Sequence, residues 1–169
     1  MKIAIAGYGV VGRGTHELLL MNRDKIAARA GEEIEVKYVL DPKPLEGTPA
    51  EQLKASGIEE ILADPEVKLL VEAIGGVGPA YEYVKAALES GRSVVTPNKQ
   101  LVAEKGAELL AIAREKNVGF LFEASVAGGT PVLHPISQCL WANDLDLAAG
   151  ILNGTTNYIL TRMIKAGLT

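Results

Sequence analysis

The chain has 169 residues, of which 48% are hydrophobic, and a formal net charge of −4. This composition predicts a globular chain with room for one full domain and part of another, and the mild acidity argues against nucleic acid or an anionic membrane as a partner. The single cysteine, Cys139, excludes an internal disulfide, and we expect it to be buried and unreactive. The segment from Met1 to Ala6 lacks the apolar stretch of a signal peptide, so a cytoplasmic location is expected.

Short apolar runs alternate along the chain with longer segments of helical period. This alternation predicts an α/β fold in which a doubly wound parallel sheet is covered by helices on both faces. The predicted strands are Lys2–Ala6, Glu33–Leu40, Val67–Ile74, Ser93–Thr96 and Val118–Phe122. The predicted helical segments are Val10–Ala30, Glu51–Ser56, Ile58–Ala63, the stretch between Pro79 and Gly91, and Asn98–Lys116.

The character of the chain changes after Glu123, because residues 124–131 are mostly small. This run predicts a loop and a domain boundary, which divides the chain into residues 1–130 and 131–169. The second part is predicted to contain a helix over Pro131–Leu140, a strand over Leu145–Leu152 and a helix over Thr155–Ala166. These three elements cannot bury their apolar faces alone, so we expect them to begin a truncated α+β domain for substrate binding and dimerisation.

A glycine-rich turn lies between the first predicted strand and the first predicted helix. It consists of Gly7, Tyr8, Gly9, Val10, Val11 and Gly12, and it fits the GxGxxG fingerprint of Rossmann-type dinucleotide-binding domains. Gly7 permits a tight turn, Gly9 lets a pyrophosphate approach the backbone, and Gly12 lets the helix pack closely on the strand. The helix N-terminus favours phosphate because its amides are unpaired and carry partial positive charge. The turn therefore predicts an NAD or NADP site, and a glycine turn without a ligand is the alternative.

Two further features fall at the carboxyl ends of predicted strands. Asp41 follows the second strand, where such folds place an acid that accepts hydrogen bonds from the adenosine ribose. Its carboxylate favours NAD, but Lys43 would offset the repulsion of a 2′-phosphate, so both NAD and NADP stay open. A turn-forming Asp before proline is the alternative. Gly75 and Gly76 follow the third strand, and they either let the backbone touch the cofactor ribose or simply form a turn.

The residues Thr96, Pro97, Asn98 and Lys99 join the fourth predicted strand to the next helix. Asn98 is predicted to cap that helix through its side-chain oxygen. Lys99 then falls in the first helical turn, where a cation opposes the helix dipole. A lysine in this place could donate a proton to an alkoxide that develops during hydride transfer. From position alone, a solvated lysine at a helix start is the alternative.

Five blocks, in this order, resemble the homoserine dehydrogenases: GYGVVGRG, VEAIGG, VVTPNKQLVAEKG, FEASVAGGTPV and GILNGTTNYIL. The resemblance implies an NAD(P)-dependent oxidoreductase that interconverts L-homoserine and L-aspartate 4-semialdehyde on the route to threonine and methionine. It implies that Lys99 is the catalytic lysine beside the nicotinamide and that Thr96 and Pro97 line the nicotinamide riboside. It also implies that Gly75 and Gly76 contact the ribose.

The resemblance further implies a structural sodium ion in the loop after Glu123, bound mainly by the backbone carbonyls of Glu123, Val126, Gly128 and Thr130. Family members are longer, and their acidic substrate-binding residues and a second catalytic lysine lie downstream of the GTTNYIL block. We therefore expect a fragment that binds cofactor, does not turn over its small-molecule substrate by itself, and forms a homodimer when full length. A stand-alone, non-catalytic NAD(P)-sensing module is the alternative.

Overall fold

The computed structural model describes residues 1–150 and 153–167, and this part of the chain contains one five-stranded sheet with all strands parallel. The strands, in the sheet order β2-β1-β3-β4-β5, are β1 (Lys2–Ala6), β2 (Glu35–Leu40), β3 (Val67–Glu72), β4 (Ser93–Val95) and β5 (Phe120–Leu121). The α-helices are α1 (Val10–Met21), α2 (Arg23–Ala30), α3 (Ile58–Ala63), α4 (Gly78–Glu89), α5 (Lys99–Lys116), α6 (Glu123–Val126) and α7 (Gly154–Ala166). Shorter helical turns span Glu51–Leu53, which is 3-10, and Pro135–Cys139, which is π-helical. The predicted parallel α/β sheet is confirmed.

The core lies on both faces of the sheet because successive side chains of β1 point to opposite faces. Ala4 and Ala6 belong to one buried cluster, which also contains Leu70 of β3 and side chains of α3, α4 and α5. Ile3 and Ile5 belong to a second cluster, which also contains Tyr8 of the turn after β1, Leu19 of α1 and apolar side chains of residues 45–53. This double covering explains why Ile3–Ala6 of β1 is a continuous apolar run rather than an alternating one.

Local signals in the sequence set several element bounds. The helix α3 spans the predicted residues Ile58–Ala63. Asn98 caps α5, since its Oδ1 accepts the Leu101 N–H at 3.1 Å. Pro79 lies in the first turn of α4, where its missing N–H interrupts no helical hydrogen bond. Short-range chemistry is therefore enough to start these helices where the sequence predicts them.

The first predicted helix, Val10–Ala30, is wrong in one respect, because the structure divides it at Asn22 into α1 and α2. The Asn22 backbone leaves the helical region at φ −117° and ψ 23°. Its side-chain Nδ2 donates to the Leu18 carbonyl at 3.2 Å, alongside the Asn22 backbone N–H at 3.1 Å. An asparagine side chain that bonds to nearby backbone groups competes with the helix, and here it ends one helix and begins the next.

The expectations for the C-terminal part are corrected in three places. Residues 124–131 are not wholly a loop, since α6 begins at Glu123. The predicted strand Leu145–Leu152 is absent over Leu145–Gly150, and its last two residues lie outside the described part. Leu145 and Leu147 are 52% and 83% exposed, so this apolar run has neither the burial nor the neighbouring strand that a strand needs. Cys139 is exposed rather than buried, because residues 136–140 at the end of this helical turn are all exposed.

Candidate functional site

The carboxyl ends of the strands meet a cleft at the point where the strand order reverses. The strand β1 lies between β2 and β3, so the chain progresses in opposite directions across the sheet on either side of the β1–β3 pair. Ligands of open parallel sheets bind in the crevice at this switch point. A cavity of about 740 Å³ occupies it, with Gly7, Gly9, Asp41, Lys43 and Ile74 in its lining.

Two glycines of the predicted turn are required by the protein itself. Gly7 has a φ of +93°, and a Cβ placed on it would lie 2.5 Å from the Ala73 carbonyl oxygen of the adjacent turn. A Cβ on Gly12 would lie 1.9 Å from the Gly7 oxygen. The absence of side chains at these positions lets α1 approach the end of β1 closely, as the GxGxxG spacing predicts.

Gly9 is different, because a Cβ placed on it would meet no protein atom within 4 Å. It is the N-cap of α1, and its carbonyl accepts the first helical hydrogen bond, from the Arg13 N–H at 2.9 Å. The preceding amides of Val10, Val11 and Gly12 therefore have no acceptor within the helix. Val10 and Val11 are 93% and 52% exposed, which leaves the apolar start of α1 open to a ligand. Open space, unpaired amides and a helix N-terminus together suit a diphosphate.

Asp41 is held at the end of β2 by two backbone amides. Its Oδ2 accepts the Tyr8 N–H at 2.6 Å, and its Oδ1 accepts the Lys43 N–H at 2.8 Å. The carboxylate thus ties the glycine turn to the loop after β2. Because a carboxylate offers about four acceptor positions, it keeps capacity for ribose hydroxyl donors.

The side chain of Tyr8 packs in the core rather than in the cleft, and its hydroxyl lies 2.8 Å from His16 Nδ1. Burial lowers the pKa of His16 and raises the pKa of Tyr8, so both groups are held neutral beneath the turn. Tyr8 contributes only its backbone to the turn that was predicted to bind phosphate, and its backbone N–H already donates to Asp41. The sequence gives no partner for His16, and the structure shows it in a packing role.

Glu72, which the sequence analysis did not single out, is fully buried at the carboxyl end of β3. Its Oε1 accepts the N–H groups of Ile74 at 2.7 Å and Gly75 at 3.2 Å, and its Oε2 accepts the Thr96 hydroxyl. A signal for it exists in the sequence, because a lone acid interrupts the apolar run just before Gly75 and Gly76. This carboxylate joins the turn after β3 to the end of β4.

Lys99 is the first residue of α5 and lies exposed at the same carboxyl edge. The preceding Asn98 donates from Nδ2 to the Gly76 carbonyl at 2.6 Å, and the Asn98 N–H donates to Thr96 Oγ1 at 3.0 Å. Pro97 lies between them, half-buried. The structure therefore brings Gly76, Thr96 and Asn98 together, with Lys99 beside them, on the opposite side of the switch point from Asp41.

The carboxylate of Glu123 lies beyond this cleft and holds the following segment. It accepts the N–H groups of Val132, Leu133 at 2.8 Å and His134 at 2.7 Å. These bonds, that of Val132 foremost, hold the pKa of Glu123 below its ordinary value. The side chain thus fastens the start of the second part of the chain to the end of the first.

The four residues expected to bind sodium are neighbours along this stretch. Glu123 and Val126 are the first and last residues of α6, and Gly128 and Thr130 lie in the exposed turn that follows. The Glu123 carbonyl accepts the Ala127 N–H at 3.3 Å. Residues 1–150 and 153–167 contain no group of three or more His, Cys, Asp or Glu side chains that could hold a metal ion. A cation here would depend on backbone carbonyls.

Membrane-spanning character is also absent from the described ranges, 1–150 and 153–167, where no helix is both long and apolar enough to cross a bilayer.

A parallel sheet with a glycine-built corner at its switch point defines the class of Rossmann-type dinucleotide-binding domains. The family model described as the NAD binding domain of homoserine dehydrogenase matches residues 7–123, and the model described as homoserine dehydrogenase matches residues 131–169. The chain belongs to the homoserine dehydrogenase family.

Individual relatives agree with this assignment. The homoserine dehydrogenase of Pseudomonas aeruginosa is 45% identical over 171 residues, covering 100% of this chain and 39% of that protein. A solved homoserine dehydrogenase from Thiobacillus denitrificans has a TM-score of 0.89 and 40% identity, over 99% of this chain and 39% of that one. A hyperthermophilic archaeal homoserine dehydrogenase, solved in complex with NADPH, has a TM-score of 0.65 and 26% identity, over 80% of this chain and 48% of that one. The chain therefore spans less than half the length of these relatives.

Proposed function

We propose that the chain is the cofactor-binding part of an enzyme that interconverts L-homoserine and L-aspartate 4-semialdehyde with NAD or NADP, in threonine and methionine biosynthesis. The observation that carries the proposal is the open corner at Gly9, where unpaired amides of α1 face the cleft on the same sheet edge as Lys99. Family membership supports the choice of reaction. The expected cytoplasmic location remains a prediction.

Each half of the cofactor has its own side of the cleft in this proposal. The amides of Val10, Val11 and Gly12 would hold the pyrophosphate, and the remaining lone pairs of Asp41 would accept the adenosine ribose hydroxyls. The nicotinamide riboside would then lie on the β3–β4 side, against the turn at Gly75 and Gly76 and against Thr96 and Pro97.

Lys99 would supply the proton that the reduction requires. A reduced nicotinamide, when bound here, would supply the hydride for the aldehyde carbon. As that carbon becomes an alcohol carbon, its oxygen needs a proton, and the ammonium of Lys99 is an exposed donor at this edge. Lys99 makes no ion pair within residues 1–150 and 153–167, so its charge is available to the substrate oxygen.

The cleft also supports the acceptance of NADP. A recess of about 150 Å³ beside Asp41 is lined by two cationic residues, Arg13 and Lys43. Arg13 pairs with Glu17 at 2.8 Å, and both oxygens of Asp41 already accept a backbone N–H. Two cations beside a partly satisfied carboxylate would offset the repulsion of a 2′-phosphate.

The second part of the chain belongs to this proposal as the beginning of the substrate domain. We place the division near residue 130. The hydrogen bonds that the Glu123 carboxylate accepts from the N–H groups of Val132, Leu133 and His134 would hold the two parts together. A structural sodium ion on the carbonyls of Glu123, Val126, Gly128 and Thr130 would act at the same junction. The apolar side chains of α7 are exposed, which supports homodimer formation by the longer protein.

Titration calorimetry with NADH and NADPH, together with a homoserine dehydrogenase assay, tests the proposal. We expect binding of at least one dinucleotide and no turnover of aspartate semialdehyde by this chain alone. Loss of binding on Gly9→Val would support the corner as the phosphate site. No binding of either dinucleotide would overturn the proposed function, and turnover by the isolated chain would overturn the expectation that this chain alone is inactive.

The sodium site has a separate test. Thermal unfolding in sodium chloride is compared with unfolding in tetramethylammonium chloride at the same ionic strength. The tetramethylammonium ion is too large to bind among closely spaced carbonyl oxygens. A higher melting temperature in sodium supports the site. Equal melting temperatures would remove it from the proposal.

A further inference from the structure

Glu72 is the one acidic side chain that is fully buried among residues 1–150 and 153–167. Taking a carboxylate out of water is costly unless hydrogen bonds replace the lost hydration. Its partners are three neutral donors: the Thr96 hydroxyl and the N–H groups of Ile74 and Gly75. All of them lie at the carboxyl edge of the sheet, so this acid is buried beside the cleft rather than deep in the core.

The carboxylate determines the direction of a chain of hydrogen bonds. Glu72 accepts the Thr96 hydroxyl at Oε2, so the hydroxyl hydrogen of Thr96 is used in this bond. The oxygen of Thr96 then remains free to accept the Asn98 N–H, which lies at 3.0 Å. Asn98 in turn caps α5 and donates to the Gly76 carbonyl. Glu72 thereby holds both the turn after β3 and the start of α5, where Lys99 lies.

The position of these hydrogen bonds relative to the cofactor rests on the proposed function. With the pyrophosphate at the β1–α1 corner and the adenosine half beside Asp41 on the β2 side, the other half of a dinucleotide falls on the β3–β4 side. We infer that Glu72 is a positioning residue for the nicotinamide half of the cofactor and for Lys99, acting through the Gly75–Gly76 turn and through Thr96. Glu72 itself is 0% exposed, so it would act through these neighbours rather than by direct contact.

A glutamine at position 72 has nearly the same shape but cannot satisfy the same partners. Its Oε1 can accept the N–H groups of Ile74 and Gly75, which leaves its amide group to face Thr96. The Thr96 oxygen would then receive two donors, from the amide and from Asn98, and the Thr96 hydroxyl hydrogen would lose its acceptor. The variant Glu72→Gln therefore alters the hydrogen bonds while conserving volume.

The experiment compares whole and truncated ligands on the full chain. Dissociation constants are measured for NADH, NADPH and ADP, the last carrying only the adenosine and the two phosphates, and the emission of the bound reduced nicotinamide is recorded. For Glu72→Gln we expect dinucleotide binding to weaken about tenfold, which matches the loss of a charge-assisted hydrogen bond, with ADP binding within about twofold of the unaltered chain. The emission of the bound nicotinamide should shift toward that of the free cofactor.

Two further variants control the result. Glu66→Gln removes an exposed carboxylate just before β3 begins at Val67, far from the carboxyl end of the strand. It should change none of the three dissociation constants. Thr96→Val keeps the shape of the side chain without its hydroxyl and should reproduce Glu72→Gln. Thr96→Val carries the test if Glu72→Gln does not fold.

The possible outcomes separate the positioning role of Glu72 from the proposed function of the chain. Unchanged dinucleotide binding and emission in both Glu72→Gln and Thr96→Val would overturn the positioning role alone. Equal weakening of NADH and ADP would also overturn it, because general loosening of the domain affects both halves of the cleft. Failure of the unaltered chain to bind any of the three ligands would overturn the proposed function, and the positioning role with it.

Discussion

Replacing Gly9 by alanine separates a requirement of the ligand from a requirement of the fold. In the structure, a Cβ at this position meets no protein atom within 4 Å, and the backbone lies at φ −75° and ψ −159°, which any residue adopts. The substitution therefore creates no clash and no backbone strain. The added methyl group would instead occupy the space through which a pyrophosphate approaches the amides of α1.

The size of each effect follows from this geometry. Alanine is a poorer N-cap than glycine, so Gly9→Ala should lower the free energy of unfolding by no more than ~1 kcal/mol. Dinucleotide binding should weaken at least tenfold, or ~1.4 kcal/mol, because the phosphates lose close contact with the backbone. Gly14→Ala is a matched control in the middle of α1, since its Cβ also meets nothing within 4 Å. It should stabilise the helix by ~1 kcal/mol and leave binding unchanged.

Urea unfolding and calorimetric titration with NADH and NADPH measure the two quantities on the same samples. Gly12→Ala provides the opposite case, because its Cβ would overlap the Gly7 oxygen, and it should lose stability as well as binding. The reasoning is refuted if Gly9→Ala binds both dinucleotides within twofold of the unaltered chain, or if its stability falls as far as that of Gly12→Ala.

Three further predictions concern other parts of the molecule. Lys43→Glu should weaken NADPH binding about tenfold more than NADH binding, which titration with both cofactors measures, because only NADPH carries a 2′-phosphate. Leu70→Ala should lower the free energy of unfolding in urea by ~2–5 kcal/mol, since Leu70 is fully buried in the sheet. Backbone amides, chiefly that of Val132, hold the pKa of Glu123 below its ordinary 4.5, so its carboxylate stabilises the fold above the unfolded pKa, and this is lost as the pH falls through the folded pKa. The protection of the Leu133 amide, which is its exchange rate compared with the intrinsic rate at the same pH, should therefore fall as the pH drops below the ordinary pKa of 4.5. Glu123→Gln should show this lower protection already at neutral pH. Equal cofactor selectivity, an unchanged urea midpoint, or pH-independent protection would contradict these predictions in turn.

Sequence reasoning reached furthest where the controlling interactions are local. The bounds of α3, the Asn98 cap of α5 and the glycine spacing of the β1–α1 corner follow from residues within a few positions of one another. The predicted strand over Leu145–Leu152 failed over its described part because an apolar run becomes a strand only beside another strand. The division of the first helix at Asn22 was missed because helical period alone does not show that a side chain will compete with the backbone.

The amino-acid sequence by itself determined the class of the fold and the location of the glycine-built corner after β1. Alternating apolar and helical segments permit little besides a covered parallel sheet, and three glycines at this spacing suit one kind of strand-to-helix corner. Only the tertiary structure decided that Glu72 is buried at the cleft, that Asp41 holds the Tyr8 amide, and that Glu123 grips the following segment. Each of these carboxylates finds partners that depend on which segments the fold brings together, and the burial of Glu72 makes its partners obligatory.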